Sequence, residues 1–162
     1  MSISSAILVI SDSSHRGLRK DSSGPKLEQA LVSAGFEVVA TKIVPDELEQ
    51  ISSALRELGA AASFVVSTGG TGISPRDVTP EATRAVCDRL VEGIAEFLRA
   101  EGLKHTPFAV LSRGVCGTIG KSLILNLPGN PAGAEQSLKA VLHLIPHALD
   151  LLAGRTEHSA TH

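Results

Sequence analysis

Phe64-Val65-Val66-Ser67-Thr68-Gly69-Gly70-Thr71-Gly72-Ile73-Ser74-Pro75-Arg76-Asp77-Val78-Thr79-Pro80 is the stretch on which the reading of this chain turns. A short apolar run passes into three glycines within four residues, then an Arg-Asp pair, then Thr79-Pro80, which reads as a helix start. A strand that passes through a glycine turn into a helix is the building unit of a parallel sheet. Glycine supplies positive φ and lets a backbone come close to a ligand, and main-chain N–H groups at such a turn hold phosphate. Arg76 offers a group for phosphate, and Asp77 one for a metal ion or a proton. The competing reading is a tight βα turn with a surface ion pair.

The same alternation runs through the rest of the chain. Ala6–Ile10 reads as a strand covered on both faces. A polar loop spans Ser11 to Gly24, and Pro25 opens a helix that Gly35 closes. Phe36–Val44 is the second strand; a helix beginning at Pro45-Asp46-Glu47 turns Ile51, Leu55 and Leu58 inward and stops at Gly59. Ser63–Ser67 is the third strand. Helices are expected from Thr79 to Asp88 and from Glu92 to Glu101, and strands at Phe108–Leu111 and Ser122–Leu127. A hairpin or bulged excursion fills Gly114–Lys121. Asn130 caps a last helix with Pro131 at its first position, running to Leu152 with a kink at Pro146. The expectation is a three-layer α/β/α sandwich around a mainly parallel sheet, one domain over residues 1–154, with a polar, disordered tail over 155–162.

Composition removes several functions. With 162 residues, 43% hydrophobic and 20% charged, the chain has the balance of an ordinary soluble domain. It has no Trp or Tyr and only 4 Phe, which leaves no stacking platform for single-stranded nucleic acid. A net charge of −2 without a basic block argues against any nucleic-acid partner. Cys87 and Cys116 have neither disulfide-framework nor zinc-site spacing, and Cys116 has no basic neighbour to activate it. Met1–Ser5 lacks a signal-peptide pattern and no apolar run reaches transmembrane length, so no membrane is expected and the expected compartment is the cytoplasm.

Ligands of such sheets sit beyond the carboxyl ends of the strands. The loops expected there are Ser11–Gly24, Pro45-Asp46, Thr68–Thr79, Ser112-Arg113 and Pro128–Pro131, which hold nearly all the chain's Gly, Asp, Ser and Arg clusters. Asp46 and Asp77 each follow a strand at the same edge and suit a hard cation such as Mg²⁺ shared with phosphate oxygens. The alternative for Asp46 is a simple helix cap. Asp12 is either a site residue or a turn former. Ser112 and Arg113 suit the grip of an anion, or Arg113 is a surface residue. Asn130 caps its helix, whose N-terminus is itself an anion site. Two decoys fail: Gly117–Ser122 lacks the first glycine and the following helix of a phosphate-binding loop, and Gly70-Thr71-Gly72 has Pro75 where a dinucleotide fingerprint needs its third glycine.

Three motifs in order, Thr68-Gly69-Gly70-Thr71-Gly72 with Arg76-Asp77-Val78-Thr79-Pro80-Glu81, then Leu111-Ser112-Arg113-Gly114, then Asn126-Leu127-Pro128-Gly129-Asn130-Pro131, resemble those of the MogA/MoaB family. That family is the molybdopterin-binding domain of molybdenum-cofactor biosynthesis, and the likeness extends over essentially the whole chain. Asp21–Gly24 and Glu96/Arg99 resemble further family steps, whereas the family's arginine after Ser11-Asp12 is displaced here by Ser13-Ser14-His15. The resemblance implies an enzyme, a nucleotidyltransferase that adenylylates the terminal phosphate of molybdopterin with Mg²⁺-ATP and releases pyrophosphate. It implies Asp46 and Asp77 as catalytic and Mg²⁺-holding residues. Ser11, Asp12, Thr68, Gly69, Gly70, Thr71, Gly72, Arg76, Ser112, Arg113, Pro128, Gly129 and Asn130 would bind substrate. It also implies a homotrimer and a molybdenum insertase as partner. The alternative is a non-catalytic molybdopterin-binding or accessory protein of the same pathway.

Overall fold

A computed structural model describes residues 2–156. Its elements run β1 (Ile3–Ile10), α1 (Asp12–His15), α2 (Ser23–Ser33), β2 (Phe36–Val44), α3 (Leu48–Ala61), β3 (Phe64–Thr68), α4 (Thr79–Val86), β4 (Arg89–Leu90) and α5 (Glu92–Gly102). A 3-10 helix (Pro107–Leu111) follows, then β5 (Cys116–Ile119), β6 (Ser122–Leu127), α6 (Pro131–Val141), a 3-10 turn (Leu142–Leu144) and α7 (Ile145–Leu152). The six-stranded sheet has the order β2-β1-β3-β6-β5-β4. Its first four strands are mutually parallel, and β5 is antiparallel to both of its neighbours.

Strand residues alternate between two cores, which is why the central strands are apolar throughout. Ile7, Val9, Phe64, Val66, Leu123 and Leu125 face the layer built from α2, α5, α6 and α7. Ala6, Leu8, Ile10, Val65 and Ile124 face α3 and α4. The result is the three-layer sandwich with a mainly parallel sheet that the alternation predicts.

Several boundaries differ from the sequence expectation, each for a local reason. Phe108–Leu111 is not a strand. Thr106 Oγ1 accepts the Phe108 N–H at 3.2 Å and Pro107 takes the first helical position, so a tight 3-10 turn starts there and leaves Phe108 73% exposed. The antiparallel partner of β6 is instead β5, the first arm of a hairpin whose second arm is β6. α2 starts at Ser23, two residues before Pro25, because the Asp21 carboxylate accepts the N–H groups of Ser23 and Gly24 at 3.0 and 3.1 Å. Gly59 does not end α3, which continues to Ala61. The space beside Gly59 is taken by the Ile119 side chain, 3.5 Å from where a Cβ would stand. α4 ends at Val86, since Asp88 N–H turns out to the Thr118 carbonyl of the sheet at 2.7 Å. The kink at Pro146 is a full break: a 3-10 turn separates α6 from α7, where Pro146 takes an early position that needs no N–H donor. Arg155 folds back on Asp150 at 2.7 Å, and the rest of the tail expected to be disordered, 157–162, lies outside the described residues.

One buried side chain ties the second half of the sheet together. Asn126 Nδ2 donates to Ser67 Oγ and Thr83 Oγ1, each at 3.0 Å, while its Oδ1 accepts the Val115 N–H at 3.0 Å. It thereby links β6 to β3, to α4 and to the strand entering the hairpin. Asn126→Ala strands these groups away from water, and the expected loss is about 2–4 kcal/mol of unfolding free energy in urea denaturation. A loss below about 1 kcal/mol would contradict the pinning role.

Candidate functional site

From β1 the chain returns to β2 through α2 on one face of the sheet, and from β2 to β3 through α3 on the other. β3 leads on to α4 on the same face as α3, so the adjacent strands β1 and β3 lead to opposite faces, and a crevice opens beyond their carboxyl ends. The glycine loop lies in that crevice. Gly69 (φ 104°) and Gly70 (φ 67°) have consecutive positive φ. A Cβ on Gly69 would overlap the Ile10 carbonyl oxygen, and one on Gly129 would stand 3.2 Å from Gly69 Cα. Thr68 Oγ1 donates to the Pro128 carbonyl at 2.7 Å, and Thr79 Oγ1 to the Gly69 carbonyl at 2.9 Å. The ends of β1, β3 and β6 thus meet backbone to backbone. Gly69 N–H is taken up by the Leu127 carbonyl at 3.2 Å, whereas those of Gly70, Thr71 and Gly72 have no acceptor among the described residues. Free amides around positive-φ glycines form a concave donor set for anions.

Around this loop the charges are arranged in two groups. Asp12 and Asp46 exchange hydrogen bonds: each backbone N–H donates to the other's carboxylate at 3.0 Å. Arg76 closes the group from outside, with Nε and Nη2 on Asp12 at 3.1 and 2.9 Å and Nη2 on Glu47 at 3.0 Å. The Arg76 hydrogen bonds hold the Asp12 carboxyl below its ordinary value. Asp46 moves the other way: burial raises it, and the charges of Asp12 and Asp77 raise it further. The second group is a clamp. Arg113 donates to the carbonyls of Gly72 (2.8 Å) and Asp77 (2.9 Å) and to Glu81 (2.8 Å), fixing both ends of the loop. Its guanidinium is occupied in shaping the loop, so the expected grip on an anion is not its role in this arrangement.

Two chambers flank the glycine loop. The larger, about 880 Å³, is lined by Gly70–Ser74 and Asp77, by the start of α6 at Asn130, and by an apolar wall from α5 and the 3-10 helix, including Leu98 and Phe108. The smaller, about 300 Å³, is polar and is lined by Thr68–Gly70, Asp46, Asp77 and the loop that leads into α2. Gly70, Asp77 and Gly129 border both.

Of the sequence-predicted residues, Asp46, Asp77, Ser11, Thr68, Gly69, Gly70 and Gly129 meet at the smaller chamber. Thr71, Gly72, Ser112, Pro128 and Asn130 border the larger one. Asn130 also caps α6, its Oδ1 accepting the Gly133 N–H at 3.0 Å. Asp12 and Arg76 stand behind Asp46 and border neither chamber. Arg99 donates to the Gly114 carbonyl at 3.1 Å instead of pairing with Glu96. Cys116 is buried, which pushes its thiol up to about 12 and removes it as a nucleophile. Sequence reasoning misses the apolar wall, because Phe108–Leu111 reads as a strand. It also misses Arg19 and Lys20, whose only signal is their place in an edge loop.

Residues 6–147 match the family model described as a probable molybdopterin binding domain. The chain belongs to that family. Among relatives, it is 38% identical over 152 residues to the molybdopterin adenylyltransferase of Helicobacter pylori strain J99, covering 91% of this chain and 86% of the relative. It is 44% identical over 141 residues to the molybdopterin adenylyltransferase of Escherichia coli K12, covering 83% and 71%. The molybdenum cofactor synthesis protein cinnamon of Drosophila melanogaster is 39% identical over 155 residues; these span 93% of this chain but only 26% of cinnamon. The crystal structure of the molybdopterin biosynthesis enzyme MoaB from Thermus thermophilus superposes with a TM-score of 0.88 at 47% identity, covering 94% of this chain and 97% of that one. This family member therefore shares fold and much of its sequence with proteins of molybdenum-cofactor biosynthesis.

The environment of Asp46 carries a stability consequence. The folded protein keeps the Asp46 proton to higher pH than the unfolded chain, whose ordinary value is 3.8. Its contribution is therefore intact below that value and is lost as pH rises through the raised folded one. Asp46→Asn keeps an acceptor for the Asp12 N–H and removes the charge. With divalent cations chelated, the variant is expected to denature at a higher urea concentration than the parent at pH 7, with the gain vanishing toward about pH 3.5. A variant that is less stable at pH 7 would contradict this reading.

Proposed function

We propose that the chain is a molybdopterin adenylyltransferase of molybdenum-cofactor biosynthesis, joining the adenylyl group of ATP to the terminal phosphate of molybdopterin and releasing pyrophosphate. The observation that carries the reading is that Asp46 and Asp77, 31 positions apart in sequence, border one chamber together with the free amide of Gly70. A protein that only bound the pterin would have no need to gather two carboxylates there. The relatives named as adenylyltransferases support the same conclusion.

The chemistry asks for positioning and charge neutralisation more than for a protein nucleophile. A phosphate oxygen of molybdopterin, already ionised, attacks the α-phosphorus of ATP. The bond from that phosphorus to the bridging oxygen breaks, and the electron pair leaves with pyrophosphate. The amides of Gly70, Thr71 and Gly72 donate to oxygens that gain charge during transfer. Asn130 and the start of α6, with Ser112, orient the substrate in the larger chamber. Asp12 and Arg76 hold the Asp46 backbone in place, and Arg113 holds the loop.

The donor set fits Mg²⁺. Asp46 carries a charge opposed by burial and by two neighbouring carboxylates, which is the condition a divalent cation relieves. Among the described residues no group of three or more His, Cys, Asp or Glu is gathered as a metal site. Two carboxylates completed by phosphate oxygens and water are how Mg²⁺ is ordinarily held. When bound, it would neutralise charge on the nucleotide phosphates. The reading takes residues 1–154 as one such domain, working in the cytoplasm as a homotrimer and handing its product to a molybdenum insertase. Among the described residues no helix is long and apolar enough to cross a membrane.

Pyrophosphate release from purified protein given molybdopterin and Mg²⁺-ATP tests the proposal. Asp77→Asn and Asp46→Asn are each expected to lower kcat on the order of 100-fold or more while molybdopterin still binds. Molybdopterin binding without release from the parent protein would move the chain to the non-catalytic class.

A further inference from the structure

We propose that the smaller chamber is the docking site for the β- and γ-phosphates of the nucleotide, and that Arg19 and Lys20 are the cations that hold them. The inference rests on the transferase reading and adds a division of labour between the chambers. The larger chamber has an apolar wall suited to a flat heterocycle, and its volume of about 880 Å³ suits a ligand of that size. The smaller, of about 300 Å³, is lined mainly by hydroxyls, amides and charged groups, a chemistry suited to phosphates more than to a ring. Because Gly70, Asp77 and Gly129 border both, a nucleotide lying across them places its α-phosphorus at the shared wall and its terminal phosphates in the smaller chamber.

The charges within that chamber distinguish anion from cation sites. Arg19 and Lys20 enter it from the loop between α1 and α2, and among the described residues neither forms an ion pair. Both other arginines closest to the glycine loop, Arg76 and Arg113, are tied to carboxylates. Asp21, the remaining carboxylate of the chamber, is turned to the N–H groups of Ser23 and Gly24. Asp46 and Asp77 line the same chamber beside Gly69 and Gly70 of the glycine loop. Two cations without ion pairs and two carboxylates thus line one polar chamber, the pattern expected for a metal-bound polyphosphate whose outer oxygens are bound directly by the protein. Arg16, on the same loop, borders neither chamber and supplies a control for the loss of a positive charge outside it.

In the transfer step the departing pyrophosphate carries the electron pair of the broken bond, and it does so in this chamber. Arg19 and Lys20 therefore hold the leaving group and govern its release. The test is calorimetric titration of the full chain with Mg²⁺-pyrophosphate, without molybdopterin, so that its outcome is independent of any transfer activity. The parent protein is expected to bind. The double change Arg19→Ala/Lys20→Ala should weaken binding about tenfold or more, and Arg16→Ala about twofold or less. The same ordering is expected for pyrophosphate as a product inhibitor. Absence of pyrophosphate binding by the parent would overturn the site, as would binding unchanged in the double variant or weakened equally by Arg16→Ala. A protein that binds pyrophosphate as expected but releases none from ATP would leave the site standing and remove the transferase reading instead.

Discussion

The molecule is organised by a contact in which side chains take no part. Gly69 lies against the carbonyl of Ile10, and Gly129 lies against Gly69, so the ends of β1, β3 and β6 touch through their main chains. A Cβ at Gly69 would strike the strand it packs on, and its φ of 104° is one that L residues avoid. Everything polar nearby is arranged around this close approach. The hydroxyls of Thr68 and Thr79 hold the loop to β6 and α4, and the free amides that follow face the cavity because Gly69 has already turned the chain. Loops separated by ordinary side chains could not bring three strand ends to one small volume.

Electrostatics divide along the same lines. Two arginines border the loop, and both are held by carboxylates and carbonyls of the protein itself. Their work is internal: one fixes the Asp12–Asp46 exchange, the other the path from Gly72 to Glu81. These are exposed or half-exposed pairs, and as isolated ion pairs they would contribute little to stability. Their worth lies in geometry, since Asp46 is left in a place where burial and two neighbouring charges all disfavour its ionised form. A protein selected only for stability would not keep a carboxylate there, which is the usual mark of a functional position.

How far the sequence can be read follows from which forces are local. β1, β2, β3 and β6 are legible because strands buried on both faces or paired at an edge leave unbroken or alternating apolar patterns. Asp46, Asp77 and the glycine loop are legible because parallel strands deliver their following residues to one edge, whatever the packing above them. Phe108–Leu111 misleads because four apolar residues carry no period, and a cap at Thr106 with proline after it decides the turn. β4, two residues long, has no pattern to detect. The role of Arg113 lies beyond sequence for a different reason: only the folded loop shows that its donors meet carbonyls more than 30 positions away.

The change of strand direction after β6 explains why the site has two unlike walls. Had β5 been parallel, its crossover helix would have covered this end of the sheet as α2 covers the other. An antiparallel hairpin needs only the turn at Gly120-Lys121. α5 and the 3-10 helix are thereby left at the sheet end to stand beside the glycine loop, where Leu98 and Phe108 supply an apolar surface. On the other side, β1 leads through the short α1 into a polar loop before α2. One side of the crevice is therefore made by packing and the other by a loop of charges and hydroxyls. That asymmetry lets a single site accept a ligand with a flat ring at one end and phosphates at the other.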